Sequence, residues 1–510
     1  MHMNGTRRIC LVQGLLVVIS AYSLVGVFAQ TDQEILDGIS EVTNEMLLNP
    51  PPQDWLLWRR NYESYGHSAL SQITTENVGD LDLSWEIELE TGPNTPTPLV
   101  HDGVMYLLST RDTLLALDAR NGNELWRYQH ASNSVASSKI GIALHGNKVL
   151  MPTADLHVVA LDNKSGQVLW DTAIEAGQSG PLPFALRGAP LVAGETLVQG
   201  VTATMVPGGG FIVGIDLQSG LETWRFNTVA HPGEPGGNTW NDIPLEERSG
   251  GSVWVPGSYD AELDLVYFGL APTYNTEPLL RPVNIDGVTN DALYTNSTIA
   301  LRPGTGELIW YFQHVANDQW DLDWVYERQL IEMEIDGVVR KIVLTAGKMA
   351  LYDALDAASG EYLFSIDLGL QNIITSIDPE TGEVIPFSEE AQKLVESLCS
   401  QAAVAITNKQ LIEQLKELFE AFIKLIATAI DKKSPYTGGH CTRVPVLTMM
   451  LADAVENVNY GPYQNFSMTD EERYELYIAG WLHDCGKVAT PTHVVDKGTK
   501  LETIFDRIDT

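Results

Sequence analysis

Two carboxylates stand two residues apart in the aromatic stretch DQWDLDW, residues 318–324. An Asp-x-Asp pattern on a loop most often forms a turn or is solvated. It can also supply a base or part of a metal site, since a carboxylate beside a cation is held ionised. Asp321 and Asp323 are therefore candidates for chemistry. Taken alone, Trp254 would be a packing aromatic and Lys348 a surface charge.

A second group of candidate residues lies near the C-terminal end. His483 and Asp484 are adjacent in GWLHDCGKVATPTHVVDKG, Lys487 follows them, and His440 stands 43 residues before His483. Adjacent His and Asp side chains can ligate two metals that bridge an activated water and a phosphodiester. A His-Asp pair alone does not specify a reaction, so these residues are candidate metal ligands at this point.

An eleven-residue repeat surrounds the first group. Its third residues fall at positions 118, 162, 216, 302 and 356, so successive copies are 44 to 86 residues apart. Blades of β-propellers run about 40–50 residues. The longest step holds either an insertion or a blade without the signature. IDPETG, residues 377–382, starts a sixth copy. The five full copies are ALDARNGNELW, ALDNKSGQVLW, GIDLQSGLETW, ALRPGTGELIW and ALDAASGEYLF, the last with Phe for Trp.

The spacing within each copy has a physical basis. A small residue and an Asp, or in one copy an Arg, end one strand, and the Gly permits a tight turn. The aromatic lies four residues later, in the next strand, where it can pack against a neighbouring blade. A blade cannot bury both of its faces alone, so blades stack around an axis. The repeat therefore predicts an all-β propeller.

These copies resemble the tryptophan-docking motifs of quinoprotein alcohol dehydrogenases, over roughly residues 53–385. Four further stretches resemble that family in order and spacing: TPLVHDGVMYL, WRFNTVAHPGEPGGNTWN, GGSVWVPGSYDAELDLVYFG and WYFQHVANDQWDLDW. The resemblance implies an eight-bladed propeller, here incomplete, that binds pyrroloquinoline quinone (PQQ) and a metal. It also implies a small alcohol as substrate and a cytochrome c as electron acceptor.

The same resemblance implies roles for four residues. Asp321 matches the catalytic base, which takes the alcohol proton while hydride passes to the C5 carbonyl of the quinone. Asp323 matches an extra metal ligand of lanthanide-using members, so Asp321 and Asp323 are the implied ligands of calcium or a lanthanide. Trp254 matches the indole under the flat cofactor. Lys348 matches the basic residue near the cofactor's carbonyl oxygens.

The sequence departs from the family pattern at the residues that would bind the metal. The ligating Glu falls at Met205, the ligating Asn near Ala271 and Pro272, and a further Glu at Thr95. An adjacent-cysteine pair found in many members is missing. A hard cation requires several oxygen ligands. Either the metal is coordinated differently here, or it binds poorly.

The C-terminal part has a different pattern. Residues 388–433 predict one long helix, with apolar residues at threes and fours. It is a signalling linker, a coiled coil or an ordinary amphipathic helix, and its start resembles the last helix of GAF domains. Residues 434–510 resemble HD-GYP cyclic-di-GMP phosphodiesterases. That resemblance implies a divalent metal such as Mn or Fe at His440, His483 and Asp484, in a truncated domain lacking its later ligands.

Four segments are thus expected: a signal peptide over 1–29, an incomplete PQQ-type propeller over 30–386, the end of a GAF domain with a linker helix over 387–433, and a truncated HD domain over 434–510. We favour a chimeric reading frame over a natural fusion. The leading function is PQQ-dependent alcohol oxidation. The alternatives are a cyclic-di-GMP phosphodiesterase fragment and a non-catalytic propeller that binds a partner.

The charge composition limits the kinds of partner that the chain can be expected to bind. The formal net charge is −36, which argues against nucleic acid, because phosphate binding requires clustered Lys and Arg. Arg7 and Arg8 precede a long apolar run that ends at Ala29, as in a signal peptide, so a periplasmic protein is expected. No stable membrane association is expected beyond an uncleaved signal that acts as an anchor. The C-terminal part, with three of the four cysteines, is more typical of a reducing compartment.

Overall fold

The computed structural model describes residues 31–132, 138–177, 184–371, 373–386, 389–433 and 439–491. The predicted signal peptide, residues 1–29, lies outside these ranges, so export stays a prediction. The chain divides into two units, residues 1–387 and 388–510. Each unit is described by itself.

In the residues that the structure describes, the first unit contains five four-stranded antiparallel sheets, each with its strands in sequence order. The first sheet contains β1 (Leu99–His101), β2 (Val104–Ser109), β3 (Thr113–Asp118) and β4 (Glu124–Gln129). The second contains β5 (Ala143–His145), β6 (Lys148–Pro152), β7 (His157–Asp162) and β8 (Val168–Ala173). The third contains β9 (Leu191–Ala193), β10 (Thr196–Val201), β11 (Phe211–Asp216) and β12 (Glu222–Asn227).

The fourth sheet contains β13 (Ser258–Asp260), β14 (Leu265–Gly269), β15 (Ser297–Leu301) and β16 (Leu308–Gln313). The fifth contains β17 (Gln329–Ile335), β18 (Val338–Ala346), β19 (Leu351–Asp356) and β20 (Tyr362–Asp367). A hairpin of β21 (Ile374–Ile377) and β22 (Val384–Pro386) follows. Within the described ranges these sheets and the hairpin fall short of the eight blades that the resemblance implies.

Every repeat copy has the same local geometry. The third and fourth strands of each sheet change register by a β-bulge just before the aromatic position, as between Ala116 and Leu117. The bulge sets the aromatic opposite a small residue, for example Trp126 opposite Ala116. A bulge adds one residue to one strand and turns the side chains that follow. The repeated motif thus encodes a repeated irregularity of the sheet.

The tryptophans join consecutive sheets, as the spacing predicts. Trp126 Nε1 donates to the Asn163 carbonyl oxygen of the second sheet at 3.1 Å. Trp170, Trp224 and Trp310 donate in the same way to the next sheet in order. Each indole also lies over the motif glycine of that next sheet, where a Cβ atom would approach the ring to 2.7 Å or less. The glycine is required by this contact as well as by its positive φ.

Two details of the repeat differ from the sequence prediction. Tyr362, not Phe364, is the ring that meets the next glycine, Gly382. The sixth copy forms only the β21–β22 hairpin, because the six residues between β20 and β21 leave no room for two inner strands. The long step between the third and fourth copies is an insertion: residues 228–257 and 270–296 form loops with short 3₁₀ turns.

An N-terminal segment packs on the first two sheets. It carries the short helices α1 (Asp32–Asp37) and α2 (Asn44–Leu48), each capped by a threonine hydroxyl. Val42 pairs with Gly146, and Trp55 pairs with Val100. Its apolar residues, among them Leu47 and Leu56, are fully buried in the main core. The segment is therefore an integral part of the first unit.

The second unit is helical. Its helices are α3 (Glu389–Lys433), α4 (His440–Glu456) and α5 (Asp470–Leu482). The helix predicted over 388–433 is thus one continuous element. Ala427, Ile430 and Cys441 form a small core where the end of α3 meets α4, with Trp481 of α5 against it. In the part of the chain that the structure describes, no helix is both long and apolar enough to span a membrane.

Candidate functional site

The stretch that carries Asp321 is shaped by a buried carboxylate, Asp318. Asp318 Oδ1 accepts from the backbone N–H of Trp320 at 2.8 Å, and Oδ2 accepts from Leu322 N–H at 2.6 Å. Asn296 Nδ2 also donates to Asp318 Oδ2. This is an Asx-type turn, in which the side chain replaces a backbone acceptor. It holds Asp321 at a positive φ of 62° with its side chain half exposed.

Lys348 joins the two candidate carboxylates. It follows β18 and Gly347, whose Cα faces the buried Trp324 ring so closely that a Cβ would lie 2.5 Å from it. Lys348 Nζ donates to Asp321 Oδ2 at 2.9 Å and lies 2.7 Å from Asp323 Oδ2. The structure therefore brings together three of the four residues predicted for the propeller site.

The electrostatics of the three residues are unequal. Asp323 is 5% exposed, and its Oδ1 has no hydrogen-bond partner. Burial raises the pKa of Asp323 above its usual value, although Lys348 opposes the shift. Burial would lower the pKa of Lys348, but its bonds to Asp323 and Asp321 outweigh that effect and raise it. Lys348 is therefore held as a cation between one exposed and one buried carboxylate.

Two tyrosines that the sequence did not single out face the same charges. Burial raises the pKa of Tyr274, and the charges of Asp323 and Asp321 raise it further. The pKa of Tyr326 is raised by burial and then by Asp323. Tyr326 follows Asp323 by three residues, but no spacing rule marks it. Its position depends on a turn that only the folded chain shows.

Trp254 reaches this region through Tyr326. The two rings meet edge to face, with centroids 5.7 Å apart and an interplanar angle of 89°. Trp254 is half-buried and packs with Val255, Ala271 and Val325. The edge-to-face contact leaves the indole with a defined orientation. The fourth predicted residue thus contacts a neighbour of the carboxylates.

A rigid layer lies behind the site. The buried His314 ring stacks on Trp324 at 4.1 Å and 1°, and its Nδ1 lies 2.6 Å from Asp353 Oδ2. Arg328 is fully buried, donates to the carbonyl oxygen of Trp324, and has its pKa lowered to about 9 by burial. These contacts fix the backbone that carries Asp321 and Asp323. Polar support of this kind limits the side-chain motion that a site can tolerate.

At the three positions where the family has further metal ligands, the described contacts show no carboxylate that takes their place. Thr95 Oγ1 lies 2.6 Å from Ser138 Oγ, Met205 is partly exposed, and Ala271 is buried in the apolar group with Trp254. The unpartnered Asp323 Oδ1 suits a cation, but Asp321 and Asp323 are fewer donors than calcium or a lanthanide requires. The residues present therefore do not fit a hard-metal site. For PQQ, a flat anionic quinone, they offer an indole face and an ammonium.

The candidate residues of the second unit also meet. His483 Nε2 lies 3.0 Å from His440 Nε2 and 3.3 Å from Asp484 Oδ2, and His440 Nε2 lies 3.4 Å from the same oxygen. Lys487 Nζ donates to Asp484 Oδ2 at 2.6 Å. Burial raises the pKa of Asp484, but Lys487 and the histidines outweigh it and lower the pKa. All three predicted ligand groups face one point.

Consecutive four-stranded sheets joined by docked tryptophans define the first unit as a β-propeller. The family model described as "PQQ: Glucose/ethanol/alcohol dehydrogenase, beta-propeller domain" matches residues 55–410. The chain belongs to this family. The matched range runs past β22 into the first half of α3, beyond the limit near residue 385 that the motifs indicate.

Individual relatives agree with the family. Quinohemoprotein alcohol dehydrogenase ADH IIB of Pseudomonas putida is 33% identical over 352 residues, 65% of this chain and 50% of that protein. The solved structure of ADHIIG from P. putida matches with a TM-score of 0.62 at 30% identity, over 69% of this chain and 53% of that one. A europium-containing methanol dehydrogenase matches with a TM-score of 0.61 at 25% identity, over 67% and 63%.

The chain spans about half the length of the curated relatives it matches. The comparisons concern the propeller. The GAF and HD-GYP resemblances of the C-terminal part stay predictions.

Proposed function

We propose that the propeller binds PQQ and oxidises a small alcohol, with Asp321 as the base and a cytochrome c as the electron acceptor. Relatives that share the fold are described as quinohemoprotein alcohol dehydrogenases. The observation that carries the proposal is the ion cluster of Asp321, Lys348 and Asp323. It provides an exposed carboxylate base beside a fixed cation, on the turn where the family resemblance expects one.

The chain's own residues divide the work. PQQ, when bound, supplies the quinone that accepts hydride from the alcohol carbon. The Asp321 carboxylate accepts the hydroxyl proton of the alcohol, because it is exposed and one oxygen stays free of Lys348. Lys348 supplies positive charge for an anionic cofactor, and Trp254 an aromatic face for stacking. Asp323, which is buried, holds Lys348 in place.

The base is tested by replacing Asp321. Asp321→Asn keeps the shape and tolerates positive φ but cannot accept the proton. PQQ-dependent dye reduction with a primary alcohol should fall at least about 100-fold, the usual share of a general base, while PQQ binding is retained. Asp336→Asn is the matched control, because Asp336 is also exposed at positive φ, in the β17–β18 turn. Equal activity of the two variants would remove Asp321 from the reaction.

The cofactor contact is tested separately by binding. Lys348→Met should weaken PQQ affinity about 10- to 100-fold, the worth of a charged hydrogen bond, measured by quenching of tryptophan fluorescence. Lys341→Met is the control, because Lys341 also bridges two carboxylates, Asp260 and Glu262, away from the candidate site. If both variants bind PQQ as tightly as the unchanged chain, Lys348 is not a cofactor ligand.

We propose as a second function that His440, His483 and Asp484 bind one divalent ion. His483 Nδ1 lies 2.6 Å from the Gly480 carbonyl oxygen, so this nitrogen donates and Nε2 keeps its lone pair toward the cluster. Two imidazole nitrogens and a carboxylate suit Mn, Fe or Zn. Three ligands serve one ion, so hydrolysis of cyclic-di-GMP above background is not expected.

Calorimetry with Mn²⁺ or Zn²⁺ tests this second function. One ion per chain should bind to the intact protein, and His483→Ala should weaken binding at least about 10-fold. His67→Ala, at an exposed histidine of the first unit, should leave that affinity unchanged. Binding that survives in His483→Ala would show that the ion sits elsewhere.

A further inference from the structure

The longest helix carries a continuous apolar surface that is open to solvent. Ten large apolar side chains of α3 lie on one side of it, and each is between 49% and 68% exposed. We call this set the α3 stripe. Its members are Leu394, Leu398, Val404, Leu411, Ile412, Leu415, Leu418, Phe419, Phe422 and Leu425.

The stripe follows a repeat of seven. With Leu394 as position a, its members occupy positions a, d and e of five successive heptads. Between residues 397 and 430 every charged residue falls at b, c or f, on the other side of the helix: Lys409, Glu413, Lys416, Glu417, Glu420 and Lys424. Sustained heptads with an uncharged seam are typical of a helix that pairs with another long helix.

The described helices of the same unit do not cover the stripe. The end of α3 packs on its neighbours through a different face, with Ile423, Ala427 and Ile430 buried. α4 and α5 have 17 and 13 residues, against 45 in α3. The stripe is about 48 Å long at 1.5 Å per residue, so neither helix matches its length.

We propose that the α3 stripe is a dimer interface that pairs with α3 of a second copy of this chain, in parallel and in register. Asn408 occupies an a position midway along the stripe, Gln401 occupies the a position one heptad earlier, and both are exposed. A polar a residue is tolerated when its own copy faces it and the two amides hydrogen-bond, and a buried Asn at such a position favours one register and a two-stranded state. A parallel, in-register copy places Asn408 opposite Asn408 and Gln401 opposite Gln401 at the same time, whereas an antiparallel copy could bring together only one of these pairs.

Charge and area are consistent with a second copy. The whole chain carries −36, so two copies repel except where the meeting surfaces are uncharged. The stripe and its flanking g positions carry no charge between residues 397 and 430. A strip about 48 Å long and about 10 Å wide buries roughly 500 Å² per copy, or roughly 1,000 Å² in all, which is the size of a weak biological interface and matches dissociation in the micromolar range.

Sedimentation velocity of the full chain tests the interface. The unchanged chain should sediment as a dimer at concentrations on the order of 10 μM. Leu411→Glu with Leu418→Glu should give monomers, with the dimer dissociation constant raised at least about 100-fold, because each copy would bury two carboxylates in the shared interface. Ile406→Glu is the matched control: Ile406 is 59% exposed but lies at position f, outside the stripe. Circular dichroism confirms that each variant stays helical.

Cysteine cross-linking tests the orientation, in a background with Cys399 and Cys485, both exposed, replaced by serine. Asn408→Cys and Phe422→Cys, both at a positions, should each form a disulfide between copies, and Ile406→Cys should not; an antiparallel pair would leave Phe422→Cys unlinked. A monomeric unchanged chain, or a dimer that persists in the double variant, would overturn the proposal. A monomer whose stripe is protected from hydroxyl radicals would also overturn it, because another segment of the same chain would then be the occupant.

Discussion

His101 is a buried base held between two carboxylates of the first unit. Its Nδ1 lies 2.9 Å from Asp54 Oδ2, and its Nε2 lies 3.1 Å from the Ser40 carbonyl oxygen and 3.3 Å from Asp102 Oδ2. Both nitrogens face acceptors, as in a protonated ring. Burial would lower the pKa of His101, but Asp54, Ser40 and Asp102 outweigh it and raise the pKa. This charge ties the N-terminal segment to the end of β1.

The stability supplied by His101 should depend on pH. Since its folded-state pKa is raised above the unfolded value near 6.5, its contribution is fully present below about pH 6.5 and is lost as pH rises through the folded pKa. Urea unfolding at a series of pH values should show the destabilisation caused by His101→Gln shrinking toward alkaline pH.

His145, at the end of β5, is the natural control for this measurement. Burial lowers its pKa, so its ionisation costs stability as pH falls, and His145→Gln should change the pH profile in the opposite direction. A pH-independent effect of His101→Gln would show that the ring is neutral in the folded chain.

Single residues of the site were only partly predictable from the sequence. Asp321, Asp323 and Lys348 could be named because their motifs carry a resemblance, and the structure brings them within hydrogen-bonding distance. Asp318 and Tyr326 could not, because their importance arises from an Asx-type turn and an edge-to-face ring contact. Such contacts join residues whose types are common and whose spacing is not distinctive.

The motif glycine in each repeated turn is a position where substitution should destabilise the blade. Gly306 has φ +70°, and a Cβ there would lie 2.4 Å from the Trp224 ring. Gly306→Ala should therefore lower the free energy of unfolding by about 2–4 kcal/mol, combining left-handed strain with overpacking. Urea unfolding followed by tryptophan fluorescence measures the loss.

The matched control for this substitution is Gly287→Ala. Gly287 has nearly the same φ, +74°, but no atom lies within 4 Å of its added Cβ. It should cost only the conformational strain, about 1 kcal/mol. Equal losses at the two glycines would mean that the indole contact contributes nothing beyond the backbone.

Elements were predicted where a pattern was local. The eleven-residue copies predicted hairpins and docked aromatics, and the apolar spacing predicted α3. The contact of Gly382 with Tyr362 instead of Phe364 was not predictable. The hairpin that carries Gly382 follows a six-residue connection, which changes the position of Gly382 relative to the two rings. The insertion between the third and fourth copies stayed ambiguous for a related reason: loops without periodicity leave no signature of their length or path.

At the scale of the whole molecule, the sequence showed two unlike patterns, and the chain divides into units at residue 387. Family membership rests on the propeller, where the motif recurs and each copy can be compared with the others. The helical unit has one helix with a clear repeat and one His-Asp cluster, so its identity and the origin of the joined chain stay predictions. A pattern that occurs once gives no internal check, whereas a fivefold repeat does.

The indole contacts also give the propeller a direction. Trp85 donates to the Ala119 carbonyl oxygen of the first sheet, and each later ring fits the turn of the sheet that follows it, ending with Tyr362 at Gly382. Every described four-stranded sheet thus presents an aromatic ring on one side and a glycine turn on the other, and the two sides are not interchangeable. Reversing a blade would place indole against indole, whereas exchanging two blades would leave each indole facing a glycine turn. These contacts therefore constrain the direction of every repeat along the chain, and not the order of the repeats, as subunit polarity does in a filament.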